Sequence, residues 1–294
     1  MDRRAFLATA AAVTAGCGRT GTAETPTDAN GAATDTGGTA TGEEAPTDTP
    51  TATTRPASVA VTDLSMSSAI EIGDEGTLSV TLENTGGREG PFTASVEARV
   101  GTGDWAGTEA SVETTVPAGK TVTETVSLPP NGYVEPASYR LTGADAVART
   151  RFVPAEVPVG EAHELPNGVV LSVSDVVIGE GYTYEGSDGA TTAEPPGGDK
   201  WAVGTVRAEN TGEEPARAPL VSDFAFYRGG EEYSYRHLGD NRDRYRGGEL
   251  APGEVSEGDL PTNVPVGVVR GDLRGQYDEQ LDGGRVTVHW PLGE

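Results

Sequence analysis

The stretch that decides the fold is KWAVGTVRAENTG, residues 200–212, in which alternating apolar and polar residues end in the turn signal Asn-Thr-Gly. Alternation with a period of two, rich in Val and Thr, is typical of a half-buried strand in an antiparallel sheet. No stretch shows convincing helical periodicity, so the sequence predicts an all-β protein. Similar runs, separated by clusters of Gly, Pro and Asn, occupy residues 58–64, 78–82, 96–100, 112–116, 122–128, 139–141, 168–177, 224–227 and 286–290.

The predicted strands fall into two groups on either side of a short junction with two prolines, residues 154–158. Many short alternating strands separated by turn signals favour β-sandwiches. We therefore predict two immunoglobulin-like antiparallel β-sandwiches, residues 58–153 and residues 158–294. Residues 179–198 are polar and rich in Gly, Glu and Pro, which predicts a long loop inside the second sandwich.

The first group resembles a known domain family. The segments LENTGG (residues 82–87), VPAGKT (116–121) and PASYRL (136–141) are similar to the cell-adhesion-related domain of bacteria and archaea. The resemblance implies an immunoglobulin-like sandwich of a surface protein over residues 58–153, with no chemistry of its own. We interpret Asn-Thr-Gly-Gly as a strand ending in a turn, because Asn and Gly tolerate positive φ.

The second group resembles the telokin-like immunoglobulin domain found on microbial surface lipoproteins. That domain pairs an aromatic-led strand ending in Asn-Thr-Gly, as in residues 200–212, with a later turn of the form LAPGEVSEG, residues 250–258. The resemblance implies a sandwich over residues 158–294 and no defined activity. The chain departs from the family at DLPTNVP, residues 259–265, where an apolar strand is usual.

The amino-terminal residues predict export. Arg3 and Arg4 precede an apolar run of about a dozen residues, too short to cross a bilayer, which takes about 20. The arginine pair resembles the twin-arginine export signal, and Thr-Ala-Gly-Cys, residues 14–17, resembles a lipobox. The resemblance implies a signal peptide over residues 1–16 and a lipid on the sulfur of Cys17, the only cysteine. The alternative is a plain signal peptide with an incidental cysteine.

Residues 17–57 carry almost no large apolar side chain and are rich in Thr, Pro, Gly, Asp and Glu. Such a segment cannot bury enough apolar surface to offset its ordering entropy. We predict a lipidated, disordered tether whose Thr and Pro content resembles glycosylated stalks.

The charge is strongly acidic, with 46 Asp and Glu against 21 Lys and Arg and a formal net charge of −25. This charge argues against nucleic acid as a partner, because DNA attracts basic surfaces. Abundant carboxylates, few lysines and a twin-arginine signal together resemble exported proteins of halophilic archaea. Salt would screen the resulting self-repulsion.

The sequence offers no candidate for catalysis. His163, His237 and His289 are far apart and lack partners at metal-ligand spacing. The only cysteine is assigned to the lipid, and no nucleophile motif occurs. We predict no catalytic residue, no metal and no cofactor. Asp-Asn-Arg-Asp, residues 240–243, weakly resembles the start of a calcium loop, but a solvated acidic surface is the better interpretation.

One local composition stands out from the acidic background. Tyrosine and arginine, which are enriched in protein interfaces, cluster in one segment. This segment could receive an anionic partner or glycan, or it could be a loop whose arginines pair with Asp240 and Asp243. The cluster consists of Tyr233, Tyr235, Arg236, Arg242, Arg244, Tyr245 and Arg246.

These features favour a lipid-anchored, non-enzymatic binding or structural module of the cell envelope, held to membrane lipid through Cys17 and facing the outside. Its partner would be an unknown envelope protein or glycan. The alternative is a solute- or metal-binding accessory protein of a membrane transporter or enzyme. A co-purifying ion or solute would distinguish the alternative from the first hypothesis.

Overall fold

The computed structural model describes residues 55–293, and these residues form an all-β fold. Their strands are β1 (Val59–Ser65), β2 (Ala69–Glu71), β3 (Gly76–Asn84), β4 (Gly90–Val100), β5 (Ala106–Val116), β6 (Thr121–Leu128), β7 (Pro136–Leu141), β8 (Val147–Val153), β9 (Ala155–Glu156), β10 (Ala162–Glu164), β11 (Val169–Gly179), β12 (Tyr182–Gly186), β13 (Gly189–Ala193), β14 (Lys200–Asn210), β15 (Ala216–Ala218), β16 (Phe224–Arg228), β17 (Glu231–Ser234), β18 (Gly248–Leu250), β19 (Val255–Val264), β20 (Arg274–Leu281) and β21 (Gly284–Pro291).

Helical structure in this part of the chain is confined to single 3₁₀ turns. They occupy Pro196–Gly198, Val221–Asp223 and Arg270–Asp272. No helix within residues 55–293 has the length and apolar character needed to cross a membrane.

Strands β1 to β8 build the first sandwich from two sheets. One sheet has the order β1-β3-β6, and the other has the order β2-β8-β7-β4-β5. Along β3, Leu78, Val80 and Leu82 are fully buried, whereas the residues between them are exposed or half-buried. The alternation in the sequence therefore places one face of β3 in the core, as its period of two requires.

Strands β9 to β21 build the second sandwich, and no sheet of the described chain contains strands from both groups. Its main sheets have the orders β10-β11-β14-β19 and β17-β16-β20-β21-β9. Two small two-stranded sheets, β12-β13 and β15-β18, complete it.

Strand β14 is buried on both faces. Ala202, Val206 and Ala208 belong to the sandwich core on its inner face. Trp201 and Val203, on the outer face, are only 2% and 8% exposed. This explains why the apolar residues at 201–203 follow one another without the alternation seen later in the strand.

A buried asparagine ends a central strand in each sandwich. At the end of β3, the Asn84 Oδ1 accepts hydrogen bonds from the backbone N–H groups of Ser58 and Gly86, at 3.0 and 2.9 Å. Its Nδ2 donates to the backbone carbonyls of Arg88 and Val116, at 2.8 and 2.9 Å. Four hydrogen bonds thus tie the turn after β3 to two neighbouring segments.

The same arrangement recurs at the end of β14. Asn210 Oδ1 accepts a hydrogen bond from the N–H of Gly212 at 3.0 Å. Its Nδ2 donates to the carbonyls of Glu214 and Leu250, at 2.8 and 2.9 Å. In both sandwiches one donated bond reaches the residue four positions later and the other reaches a distant strand end. We call each arrangement an asparagine knot.

Each knot also holds a glycine turn. The backbone N–H of the asparagine donates to the carbonyl of Lys120 in the first sandwich and of Glu254 in the second, at 2.9 and 3.0 Å. Gly119 and Gly253, one residue earlier, have φ values of +65° and +75°. Such values favour glycine, which explains the shared sequence pattern of the two turns.

The sequence-based explanation of Asn-Thr-Gly by positive φ is wrong. Within residues 55–293 the only residue other than glycine with a positive φ is Asp175, so neither Asn84 nor Asn210 uses that region. Gly86 also lies outside it and is needed for space, because a Cβ there would come within 2.2 Å of the Pro56 carbonyl oxygen.

The predicted junction is part of a sheet. Strand β9 pairs in parallel with β21, and the N–H of Val157 donates to the carbonyl of His289 at 2.8 Å. Tyr133, in the connection between β6 and β7, packs closely on Gly283 and Gly284. A Cβ on Gly283 would lie 2.2 Å from the Tyr133 hydroxyl oxygen, so these glycines permit the contact.

The prediction of a long loop over residues 179–198 is wrong. Most of this segment forms the hairpin β12–β13, and Tyr182 and Tyr184 on β12 are 6% and 8% exposed. The hairpin is stable because it covers an apolar sheet face, a partner that its own polar composition does not reveal.

Candidate functional site

A small hydrophobic cluster lies outside the sandwich core, between the outer face of β14 and the hairpin β12–β13. It contains Trp201 and Val203 from β14 and Tyr182 and Tyr184 from β12. The Tyr182 ring stacks on that of Tyr184 with centroids 5.5 Å apart, and its centroid lies 6.4 Å from that of Trp201. The Trp201 indole N–H donates to the carbonyl of Ala193 at 3.0 Å. The hairpin is thereby fastened to the sheet.

A pocket of about 390 Å³ opens beside this cluster, within the usual range of about 300–1,000 Å³ for small-molecule sites. It lies over the outward face of β11, β14 and β19, and the hairpin forms one wall. Trp201, Tyr182 and Val203 supply apolar surface, and Thr205 and Asp259 supply polar groups. We call it the hairpin pocket.

The Asp259 carboxylate is the main polar group of the hairpin pocket. Its Oδ2 accepts a hydrogen bond from the Tyr182 hydroxyl at 2.8 Å, and that hydroxyl accepts one from Asn241 Nδ2 at 3.1 Å. Its Oδ1 has only a long contact, 3.4 Å, with the Thr205 hydroxyl. Burial raises the pKa of Asp259 above its ordinary value, although the hydrogen bond from Tyr182 opposes the shift, and the nearby negative charge of Asp243 adds to it.

Asp259 has no cationic partner among residues 55–293. None of the ion pairs formed among residues 55–293 includes it. Moving a carboxylate out of water is costly unless it is paired and hydrogen-bonded. One oxygen of this carboxylate therefore remains available to a cation or a hydrogen-bond donor that enters the pocket.

A strained residue lies on β11, which β14 separates from the strand that carries Asp259. The pairing of β11 with β14 shifts between Ser174 and Val177, which marks a β-bulge, and Asp175 inside it has a φ of +48°. The bulge leaves Val177 at the pocket with 61% of its surface exposed. Bulges and strained backbone of this kind are frequent beside functional sites.

The segment of residues 235–247, which we call the arginine loop, braces the hairpin. The N–H groups of Glu185 and Ser187 donate to the carboxylates of Asp243 and Asp240, at 2.7 and 2.6 Å. The hydrogen bonds from Ser187 hold the pKa of the exposed Asp240 below its ordinary value. The N–H of Asp259 donates to the carbonyl of Asp243 at 2.7 Å, which links the loop to β19. The side chains of Asp240 and Asp243 therefore stabilise the hairpin by accepting hydrogen bonds from its backbone.

The tyrosines of the predicted Tyr/Arg interface are largely inaccessible, which corrects that prediction. Tyr245 is fully buried, and its hydroxyl donates to the carbonyl of Pro219 at 2.9 Å. Tyr233 is 8% exposed, and its hydroxyl donates to the Glu231 carboxylate at 2.7 Å. Tyr235 is half-buried and packs against the core. These rings stabilise the sandwich, because the alternation of the segment turns them inward.

The arginines of the same cluster behave differently. Arg236, Arg242 and Arg246 are exposed, and Arg244 is half-buried with its Nη1 3.4 Å from His237 Nδ1. Within residues 55–293 none of the four forms an ion pair with an acidic residue, so pairing with the two neighbouring aspartates is not observed. The arginine loop therefore presents guanidinium groups that are not neutralised by direct contact.

A second basic surface, which the sequence analysis missed, lies on the first sandwich. The guanidinium groups of Arg99 and Arg140 lie 4.9 and 4.3 Å from the ring centre of Trp105. Arg149 and Arg151 project from β8 on the same outward side of the sheet. Arg140 also pairs with a glutamate of β4 at 2.6 Å. We call this surface the arginine face; its residues come from three strands, so no sequence segment reveals it.

The histidines are not brought together as a metal site. His163 packs against Gly73, His237 lies in the arginine loop, and His289 Nδ1 is 2.7 Å from the carboxylate of Glu156. In the part of the chain that the structure describes, no group of three or more His, Cys, Asp or Glu side chains is placed to hold a metal ion. The absence of a metal and of a cofactor stays a prediction.

The export and lipidation residues, Arg3, Arg4 and Cys17, lie outside the described residues. Their roles stay predictions, as does the tether over residues 17–57.

The hairpin pocket was also missed, although two signals for it were present. The apolar residues at 201–203 break the alternation of β14, which indicates a strand covered on both sides. Tyr182 and Tyr184 alternate with polar residues inside the segment predicted as a loop.

Comparisons with known proteins identify no family. No family model matches the chain, and no curated protein matches it. The cell-adhesion-related and telokin-like assignments therefore stay predictions.

Among solved structures, the chain is similar to MPT63, a secreted protein of Mycobacterium tuberculosis, at 18% identity and a TM-score of 0.33 over 47% of this chain and 98% of that one. It is also similar to an uncharacterized β-sandwich protein of Clostridium difficile 630, at 14% identity and a TM-score of 0.33 over 47% and 94%. The yjhA protein of Bacillus subtilis matches at 16% identity and a TM-score of 0.34 over 45% and 98%. Scores this low establish no common function.

Proposed function

We propose that the protein is an exported, lipid-anchored, non-enzymatic binding module of the cell envelope that faces the outside. The observation that carries the binding role is the hairpin pocket, where apolar walls meet the carboxylate of Asp259, which forms no ion pair within residues 55–293. Arg3, Arg4 and the cysteine at position 17 support export and anchoring, because they match the order of an export signal and a lipid-attachment site.

A non-enzymatic role rests on the distribution of reactive side chains. The only cysteine belongs to the predicted lipid-attachment site. The Asp259 carboxylate of the hairpin pocket accepts a hydrogen bond from a tyrosine rather than orienting a histidine or a nucleophile. Nucleophilic catalysis needs a nucleophile and a base within hydrogen-bond reach.

The partner that we propose is an envelope protein or an anionic glycan. The arginine loop and the arginine face present guanidinium groups in a chain with a net charge of −25. Arginine binds carboxylate and phosphate with paired hydrogen bonds, so these surfaces suit an anionic partner. The acidic remainder of the surface suits a saline exterior, as expected for a halophilic organism.

A second candidate function is that of a solute-binding accessory protein for a membrane transporter or enzyme. The size of the hairpin pocket, about 390 Å³, favours this alternative because a small molecule would fit it.

The test is a cross-linked pull-down of the full-length protein from native membranes at high salt, with the Cys17→Ser variant as control. We expect the wild-type protein in the membrane fraction and the variant in the soluble fraction. One dominant partner that is lost with the anchor would identify an accessory subunit. If both proteins fractionate identically, the anchoring proposal is wrong.

A further inference from the structure

We infer that the hairpin pocket binds a small organic ammonium cation, with Asp259 as its counter-ion. This inference rests on the proposed binding function and narrows it to a ligand class. It starts from an imbalance of charge: a half-buried carboxylate faces the pocket with one oxygen nearly unused, and no cation of residues 55–293 pairs with it.

The hydrogen bonds around the carboxylate fix its orientation. The Tyr182 hydroxyl donates to Oδ2 at 2.8 Å, and Asn241 holds that hydroxyl by donating to its oxygen at 3.1 Å. Asp259 also lies opposite Thr205 in the β14–β19 pairing, so both side chains are on the same sheet face. Oδ1 keeps only the 3.4 Å contact with the Thr205 hydroxyl, and both residues line the pocket. A site whose acceptor is oriented before binding loses little entropy when the ligand arrives.

The pocket walls select an organic cation over a bare metal ion. Trp201, Tyr182 and Val203 supply apolar surface on which alkyl groups can pack. A calcium or magnesium ion needs several oxygen ligands, and no group of three metal-ligating side chains occurs among the described residues. An anion is disfavoured because Asp259 and the nearby Asp243 are both acidic. An ammonium group with methyl or methylene substituents fits both features, because its charge pairs with the carboxylate and its alkyl groups pack on the apolar walls.

The net charge of the whole molecule also favours a positively charged ligand. The net charge of −25 raises the local concentration of cations around the protein. The strained bulge contributes Asp175, a second acidic residue, to the pocket lining. The bulge and the hairpin wall, separate elements of the fold, thus converge on one opening.

The experiment uses the full-length Cys17→Ser protein, labelled with ¹⁵N, at constant ionic strength. Tetramethylammonium chloride is titrated against it and compared with tert-butanol, a neutral molecule of nearly the same shape, and with sodium chloride. We expect saturable shifts of the Trp201 indole N–H and of the Gly179 and Gly181 amides with tetramethylammonium alone. Equal binding of tert-butanol, or shifts that map elsewhere on the protein, would overturn the inference.

Two variants test the counter-ion. Asp259→Asn keeps an acceptor for the Tyr182 hydroxyl and removes the half-buried charge, so it should fold at least as stably and bind tetramethylammonium at least about tenfold more weakly. Its matched control is Asp188→Asn, the same change of charge at the exposed tip of the same hairpin, outside the pocket lining. That control should bind within about twofold of the parent protein.

Val177→Lys gives a second, independent variant. Val177 is 61% exposed at the pocket, so a lysine there should be tolerated and should place its own ammonium group near Asp259. We expect loss of tetramethylammonium binding with an unchanged melting temperature. Wild-type affinity in both Asp259→Asn and Val177→Lys would refute the site. That result would leave anchoring and the arginine surfaces untouched, because fractionation and cross-linking test those separately.

Discussion

Replacing Asn210 by alanine should cost far more than the same change on the surface. The side chain is fully buried, accepts one hydrogen bond from Gly212 and donates two, to the carbonyls of Glu214 and Leu250. A protein hydrogen bond contributes about 0.5–1.5 kcal/mol net, and a buried polar group left without a partner costs about 1–3 kcal/mol. Three bonds therefore give a loss of about 3 kcal/mol in the free energy of unfolding, with stranded carbonyls adding to it.

The assay is urea unfolding and thermal melting, followed by circular dichroism at a fixed salt concentration. A loss of about 3 kcal/mol lowers the melting temperature by about 6–12 °C in a folded unit of this size. The matched control is Asn167→Ala, because Asn167 is exposed and its Nδ2 also donates to a backbone carbonyl, that of Arg217. We expect the control to lose less than about 1 kcal/mol. If the two variants are equally stable, the asparagine knot does not hold the sandwich as argued.

Three further predictions concern packing, salt and pH. Gly258→Ala should lower the free energy of unfolding in urea by about 1–3 kcal/mol, because its Cβ would lie 2.5 Å from the Tyr245 backbone nitrogen. Wild-type stability in this variant would show that the arginine loop can shift without cost. The melting temperature should rise steeply as the salt concentration is increased toward about 1 M, because salt screens the self-repulsion of a net charge of −25. A melting temperature that does not change from dilute buffer upward would contradict this prediction. Burial lowers the pKa of His163, although the charges of Asp74, Glu164 and Glu71 oppose the shift. The neutral imidazole therefore contributes stability that is present above about pH 6.5 and is lost as the pH falls through the lowered pKa of the folded protein. His163→Gln should flatten that part of the stability profile, and an unchanged slope would show that His163 is not its source.

The strands were predictable and the site was not, for a physical reason. The alternation in β3 and β14 is a local property, because a period of two places every second side chain on one face whatever the partner is. The hairpin pocket depends on Asp259, Tyr182 and Trp201, which meet only through register and the packing of β12 on β14. The tyrosines of the predicted interface show an error of the opposite kind. Their composition is typical of interaction surfaces, yet their side chains point into the core, because the position of a residue in the strand alternation decides its burial more strongly than composition does.

The sequence by itself determined the β-class of residues 55–293, the positions of most long strands, the acidic character of the surface and the Gly, Pro and Asn clusters that separate many of the runs. The tertiary structure alone decided why Asn84 and Asn210 matter, since their side chains bond to carbonyls 32 and 40 residues away. It also decided that residues 182–193 form a hairpin and that Asp259 lines a pocket while forming no ion pair with another residue of the range 55–293. The periodicity of a strand can be recognised from neighbouring residues alone. Burial, hydrogen-bond partners and unpaired charges are decided only when segments distant in the sequence come into contact.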